Sequence, residues 1–322
     1  MRDMRTYLDC IPCFVRQALD AVRLVTDDEA IHAQLLRDVL HEASEMDLRL
    51  PPPAMGQRIH RSIRELTGSG DPYGDIKGRF NRLALDMYPK LKGLVEHSAQ
   101  PLEVAVRLAL AGNVIDFGVT SDLDEADVHE AVKRALTQPL DGDVEAFSRA
   151  VSRAEEILYL ADNAGEIVFD KLLIERMPLE RLTVVVKGSA VINDATMADA
   201  QAAGISGLVS VIDNGSDAPG TILADCSREF RARFHKADLI VAKGQGNYEA
   251  LSDVEKDIWF LLKAKCRVIA RDLGCEIGSL VLHRSVNAKP TPGEAEGVAG
   301  NWEPSMGPEA RDGRCPQTAR DP

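Results

Sequence analysis

Asp162-Asn163-Ala164-Gly165-Glu166 follows directly on the apolar run Ile157-Leu158-Tyr159-Leu160-Ala161. A short β-like run that stops on Asp-Asn and turns through a glycine into Glu166-Ile167-Val168-Phe169-Asp170 predicts strand, tight turn and helix start. In an open α/β sheet, ligands bind beyond the carboxyl ends of the strands. A carboxylate beside a carboxamide at such a point offers adjacent hard oxygen ligands, suited to Mg²⁺ or Mn²⁺. The same residues serve as well in an Asx-type turn that caps a helix. The pentapeptide alone leaves both readings standing.

Three later apolar runs lead into segments of the same kind. Lys187-Gly188-Ser189-Ala190-Val191-Ile192-Asn193-Asp194-Ala195-Thr196 follows the run at 182–186, and Asp213-Asn214-Gly215-Ser216-Asp217-Ala218-Pro219-Gly220-Thr221 follows that at 208–212. Lys243-Gly244-Gln245-Gly246-Asn247-Tyr248-Glu249 follows the run at 239–242. In a parallel sheet all four segments share one edge and can converge. Together they hold oxygen ligands (Asp162, Asn163, Asp194), two lysines, and glycines that let backbone N–H groups approach an anion. Chemically, that grouping is a metal-assisted phosphate site.

The elements that must position these residues divide the chain into two textures. Up to about residue 150, helical spacing dominates, at 11–25, 30–40, 76–88, 101–111 and 125–136, with Pro51-Pro52-Pro53 and Gly68-Ser69-Gly70-Asp71-Pro72 as punctuation. Beyond it, strand-like runs recur at 157–161, 182–186, 208–212, 239–242 and 267–270, with helical segments between most of them; 259–262 is ambiguous between a short strand and a helix end. Continuous apolar runs alternating with helices predict a mostly parallel sheet covered on both faces. The expected organisation is a helical region over 1–150, an α/β region over 151–286 and a tail over 287–322. The tail contains no Leu, Ile or Phe and is rich in Pro and Gly. Too little apolar surface remains there to offset ordering entropy, so it is expected to be disordered.

With 45% hydrophobic and 28% charged residues among 322, the chain has the makings of a soluble protein with a large core. A net charge of −13 and the lack of a basic block argue against a nucleic-acid partner. An anionic substrate must therefore be attracted locally. No apolar run approaches the roughly 18 residues of a membrane span. The opening Met1-Arg2-Asp3-Met4 lacks the apolar stretch of a signal peptide, so the expected compartment is the cytoplasm. Cys10-Ile11-Pro12-Cys13 has no second pair at zinc-ribbon spacing, and a buried structural role suits it better than redox or metal chemistry. Oligomeric state is not encoded in any of these features.

The segments Asp162-Asn163-Ala164-Gly165-Glu166, Lys187 to Thr196, Gly215 to Thr221 and Lys243 to Glu249, in that order, resemble the damage-control phosphatase family, also known as domain-of-unknown-function family 89. The early Cys-x-Pro-Cys pair and Gly112-Asn113-Val114-Ile115-Asp116 are similar to its prokaryotic subgroup. The resemblance runs from about residue 5 to about residue 285 and implies a helical N-terminal region packed on a three-layer α/β/α, Rossmann-like domain. It also implies a metal-dependent phosphatase of small phosphorylated metabolites, such as sugar phosphates or damaged side products. The metal would be held by Asp162, Asn163 and Asp194, with Co²⁺ or Ni²⁺ as further candidates beside Mg²⁺ and Mn²⁺. Lys243, Gly244 and Asn247 would contact the substrate phosphate, and Asn113 and Asp116 would reach the pocket from the helical region. Lys187, Ser216 and Asp217 complete the expected phosphate and substrate group. Gly112 looks like the stop of the preceding helix.

On this reading a divalent ion polarises the phosphoryl group and lowers the pKa of water, while Lys243 stabilises charge on the equatorial oxygens. Glu166 and Asp116 are the two candidates for general base. Two rival readings remain. A nucleotide- or S-adenosylmethionine-binding Rossmann enzyme, such as a methyltransferase, would show a Gly-x-Gly-x-x-Gly turn after the first strand. Here that turn has one glycine between acidic residues, and Gly244-Gln245-Gly246 is only a fragment of the motif. A non-catalytic protein holding a phosphometabolite would use the same residues without turnover.

Overall fold

The computed structural model describes residues 4–114 and 125–285. Six helices lead: α1 (Cys10–Val25), α2 (Glu29–Glu45), α3 (Pro52–Thr67), α4 (Gly74–Glu96), α5 (Pro101–Val114) and α6 (Glu125–Thr137). Strands and helices then alternate: β1 (Leu140–Gly142), α7 (Val144–Arg153), β2 (Ile157–Leu160), α8 (Glu166–Ile174), β3 (Leu182–Val186), α9 (Met197–Ala202), β4 (Ser210–Asp213) and α10 (Arg228–Lys236). The last elements are β5 (Leu239–Lys243), α11 (Gly244–Leu251), β6 (Ile258–Lys263), α12 (Arg267–Leu273) and β7 (Leu280–Arg284).

The seven strands form one sheet in the order β1-β7-β6-β5-β2-β3-β4. Every pairing is parallel except β6 with β7. The strand period of two sends Ile157 and Tyr159 to one face, and Leu158 and Leu160 to the other. On the first face they join α4, α5, α6, α7 and α8 in the largest hydrophobic cluster; on the second they meet α10, α11 and α12. The protein is therefore an α/β/α sandwich with a mostly parallel, Rossmann-like sheet, as expected. Helices α1, α2 and α3 bury their own cluster around Phe14, Leu35, Ile59 and Tyr73. Residue 150 is thus not a boundary between cores, because α4, α5 and α6 share theirs with the sheet. Residues 287–322, expected to form a disordered tail, lie outside the described residues.

Several local expectations change. Pro51-Pro52-Pro53 is not mere punctuation: Pro52 and Pro53 occupy the first two positions of α3, where a missing N–H costs nothing and a fixed φ suits the helix. The run at 267–270 is the start of α12, which ends at Gly274 in the left-handed conformation. Four apolar-rich residues carry too little periodicity to separate strand from helix. The ambiguous 259–262 segment falls in β6, and no sequence signal marks β7 beside it or β1 at the sheet edge. Gly112 does not stop α5 but lies inside it. A Cβ there would come within 3.0 Å of Glu166 Cγ and 3.2 Å of Phe169 Cβ, so glycine lets α5 lie close against α8.

Candidate active site

From the central strand β2 the chain moves to β3 and β4 on one side, and later to β5 and β6 on the other. The order reverses between β2 and β5, the crevice where open α/β sheets bind ligands. Helices α8 and α11 start immediately beyond these two strands, so their N-terminal N–H groups face the same edge. All four polar segments singled out in the sequence leave from this edge, because β2, β3, β4 and β5 are parallel.

Backbone bonds draw the first two segments together. The N–H of Ala195 donates to the Asp162 carbonyl at 2.8 Å, and that of Ala164 to the Asn193 carbonyl at 2.8 Å. Asn163 and Asp194 consequently pair as an isolated antiparallel bridge. Asp194 closes a turn by donating its N–H to the Val191 carbonyl at 3.0 Å. Within that turn, Ile192 has φ 44°, the one positive φ at a non-glycine position among the described residues. For a β-branched residue this conformation costs about 1–3 kcal/mol and persists only where its surroundings over-determine it.

The amide orientation of Asn163 follows from its acidic neighbours. Its Nδ2 donates to Asp162 Oδ2 at 3.0 Å and to Glu166 Oε2 at 3.0 Å. Both amide hydrogens are thereby engaged, and the carboxamide oxygen is turned away from the two acids. Asp194 Oδ2 is buried without a hydrogen bond among the described residues; the Lys187 ammonium lies 3.4 Å from it. Burial pushes the Asp194 carboxyl up to about 6 despite the opposing charges of Lys187 and Lys77. Asp162 is raised well above its ordinary value, by burial and then by the charges of Glu166 and Asp194, against Lys265 and Lys187. This is a surplus of negative charge in a dense site.

Gly244 explains how the Asp162 carboxylate fits. A Cβ at this position would lie 1.8 Å from Asp162 Oδ2, and its φ of 78° is itself disfavoured for other residues. The first residue of α11 thus makes room for the carboxylate at the helix N-terminus, a favourable place for negative charge.

Lys243 lies beneath the site rather than in it. Its ammonium is fully buried and donates to Ala109 O at 2.9 Å, Glu166 Oε1 at 2.6 Å and Asp170 Oδ1 at 2.5 Å. An ammonium has three hydrogens, so in this geometry none is left for the substrate phosphate that the resemblance had assigned to it. Burial alone would lower the lysine pKa, but Asp170 and Glu166 outweigh it and raise it. Asp170 is in turn pushed up to about 7 by burial, against the Lys243 charge. Glu166, a candidate general base, is also fully buried, with one oxygen bonded to Lys243 and the other to Asn163. Its geometry suits orienting Asn163 better than moving a proton.

Three more expected substrate contacts are engaged in holding loops. Asn247 is fully buried, accepts from Thr221 Oγ1 at 2.7 Å and donates to Lys243 O at 2.8 Å. Ser216 Oγ donates to Asp225 Oδ2 at 2.5 Å. Asp217 accepts from Gln57 at 2.6 Å, from Arg61 at 2.6 Å, and from Arg64. Arg64 also donates to Ala190 O at 2.7 Å, so α3 ties together the loops after β3 and β4. Of the two candidates from the helical region, Asn113 falls in the last turn of α5, and Asp116 lies outside the described residues.

The Asp217 anchor has a pH signature. Burial raises its carboxyl, but hydrogen bonds from Arg61, Gln57 and Arg64 outweigh that and hold it at about 2, below the ordinary 3.8. A depressed folded pKa contributes stability above the unfolded value that is lost as pH falls through the folded one. Asp217→Asn is therefore expected to unfold at a lower temperature than the parent at pH 6, with the gap closing between about pH 4 and pH 2. Paired thermal melts across that range check it.

The sequence reading passed over several supporting residues. Asp170 had a visible signal: it stands one turn after Glu166 in a helix that is otherwise almost wholly apolar, and two buried acids on one face call for a cation. Asn81 on α4 accepts from Gly165 N–H at 2.7 Å and donates to Asp199 at 2.8 Å, fixing the start of α8. Lys77, one turn earlier, pairs with Asp199 at 3.2 Å and Asp71 at 3.0 Å. Lys265, exposed just beyond β6 on the ligand edge, is the cation that most favours the Asp162 carboxylate. No local pattern marks these three.

The donor set fits a divalent cation. Two carboxylates raised by burial, one with an unbonded buried oxygen, stand beside a carboxamide whose oxygen is turned away from them. Such oxygens suit Mg²⁺ or Mn²⁺. Among the described residues no three of His, Cys, Asp and Glu form a metal-binding group; the expected set has only two such residues, with a carboxamide as the third. No helix among the described residues is long and apolar enough to cross a membrane.

A doubly wound sheet with acids and two helix N-termini at its switch point defines an α/β protein of Rossmann-like type. Known proteins narrow the class. The profile of the damage-control phosphatase ARMT1-like domain matches residues 6–281, and the chain belongs to that family. A protein of Archaeoglobus fulgidus named damage-control phosphatase is 38% identical over 279 residues, covering 84% of this chain and 96% of its own. An uncharacterized protein of Methanocaldococcus jannaschii is 36% identical over 290 residues, covering 85% and 93%. The crystal structure of a domain-of-unknown-function family 89 protein from Pyrococcus horikoshii superposes with a TM-score of 0.78 at 35% identity, covering 88% of this chain and 99% of that one.

Proposed function

We propose that this chain is a metal-dependent phosphomonoesterase that hydrolyses small phosphorylated metabolites, among them sugar phosphates or damaged side products. The observation that carries this reading is the convergence of Asp162, Asn163 and Asp194, with an unbonded buried carboxylate oxygen, at the N-termini of α8 and α11. The name of the Archaeoglobus relative supports it. Asp162, Asn163 and Asp194 would hold the divalent ion, Mg²⁺ or Mn²⁺, which when bound supplies phosphoryl polarisation and a more acidic water.

The remaining roles belong to the chain. Glu166, held by Lys243, fixes the Asn163 amide so that its oxygen serves the ion. The N–H groups opening α8 and α11 meet the phosphoryl oxygens. Lys265 and Lys187, the cations that favour ionised Asp162, replace Lys243 as the positive charges drawing in an anion. A net charge of −13 makes that local attraction necessary.

The test is release of inorganic phosphate from an aryl phosphate and a panel of sugar phosphates, with Mg²⁺, Mn²⁺, Co²⁺ or Ni²⁺. Release is expected to need a divalent ion and to stop on chelation. Hydrolysis that is indifferent to chelation would count against the site. Tight binding of S-adenosylmethionine or a dinucleotide without metal would favour the Rossmann alternative.

A further inference from the structure

Asn193 is 5% exposed, yet its Nδ2 has no hydrogen-bond partner among the described residues. A buried amide donor left unpaired is a standing cost to the folded state, and such groups mark strain or a missing ligand. Its neighbour Asp194 carries a second buried atom without a hydrogen bond among the described residues, Oδ2, which has only the Lys187 ammonium at 3.4 Å. The loop is not slack. Ala164 donates to the Asn193 carbonyl, Arg64 holds the Ala190 carbonyl, and Ile192 is kept at a positive φ between them. Strain at Ile192 thus accompanies an orphaned donor on the residue that directly precedes Asp194.

From this placement we infer that the Asn193 carboxamide is a substrate-binding group, whose Nδ2 donates to an oxygen of the bound phosphoryl anion. The inference rests on the phosphatase reading and adds a residue to it. The chemistry of the neighbourhood sets the direction. Asp162, Asp194 and Glu166 are all acceptors, and Lys243 is consumed beneath them. A phosphate monoester, dianionic near neutral pH, needs donors in this site, and Asn193 has one that no described residue uses. The sequence motif hid this, because Asn193 reads as the flank of the ligand Asp194.

The proposal gives readouts of opposite sign, which a structural role would not. Asn193→Leu removes the unpaired donor and keeps the volume roughly constant, so the metal-free protein should melt at the same temperature or higher. Calorimetry of the full chain should give Mn²⁺ affinity within threefold of the parent and inorganic phosphate affinity, in the presence of Mn²⁺, reduced at least tenfold. The KM for an aryl phosphate should rise in step. Asn193→Ala supplies the same readouts should leucine disturb the loop. Phosphate affinity within twofold of the parent in both variants would overturn the proposal. So would a tenfold loss of Mn²⁺ affinity, which would assign the carboxamide oxygen to the metal. A parent protein that neither binds phosphate with Mn²⁺ nor hydrolyses any phosphate ester would bring down the phosphatase reading itself, and this inference with it.

Discussion

Asp162→Asn is expected to raise the melting temperature of the metal-free protein at pH 8 while reducing phosphate release to near background. The two effects share a cause. Burial, Glu166 and Asp194 raise the Asp162 carboxyl well above its ordinary 3.8. A carboxyl whose folded pKa is raised is costly to the fold when ionised, and that cost disappears as pH falls below the unfolded value. The gain in melting temperature should therefore be present at pH 8 and shrink toward zero near pH 4. Added Mn²⁺ should invert the order, because an ion that binds only the folded state stabilises it by mass action. The parent would gain stability with Mn²⁺ and the variant little or none. Asp194→Ala should lose activity to the same extent. In both, the loss should exceed the roughly tenfold to hundredfold drop typical when a group behind a metal ligand is changed. Melts with and without Mn²⁺ at pH 4, 6 and 8, beside phosphate-release assays, decide it. A variant that melts below the parent without metal at pH 8 would show that Asp162 supports the fold, contrary to this reading.

Lys243→Met carries the second large effect, and in the opposite direction on stability. Glu166 and Asp170 are both fully buried, and their common counter-charge is the Lys243 ammonium at 2.6 and 2.5 Å. Removing one partner of a buried ion cluster leaves the others uncompensated and costs about 3–5 kcal/mol. Urea denaturation should show a loss of that size. Combining Lys243→Met with Asp170→Asn removes one stranded charge and should recover part of the stability. Activity should not recover, because Glu166 no longer has the partner that orients it toward Asn163. If Lys243 instead contacted the substrate phosphate directly, Lys243→Met would raise KM and leave the fold nearly intact. The denaturation midpoint separates these outcomes.

The strand runs at 157–161, 182–186 and 239–242 were legible because parallel strands buried on both faces read as continuous apolar stretches. Their polar sequels were legible for the same reason: where the hydrophobic run stops in such a sheet, the ligand edge begins. Asp162, Asn163 and Asp194 were identifiable by type and by position after β2 and β3, and the backbone bridge joining Asn163 to Asp194 brings them together. Helix α3 was hidden behind its own prolines, and the 267–270 segment was too short to reveal its period.

What no local pattern determined was how each polar group is used. Lys243 follows its apolar run just as Lys187 does, yet α5 closes over it with the Ala109 carbonyl, and α8 brings two acids to meet it. Ser216, Asp217 and Asn247 look like ligand contacts in the sequence, but Asp225, Arg61 and Thr221 claim them. These partners lie between 9 and 156 residues away. The reason is physical: hydrophobic periodicity is a short-range property of the chain, and it sets which edge of the sheet is polar. The charge state and free valence of a buried side chain depend on which groups from other elements reach it first. The sequence by itself placed an acidic, oxygen-rich edge at the switch point of a parallel sheet. Only the tertiary structure decided that Lys243 underpins that edge, and that Asn193 is left with a donor to offer.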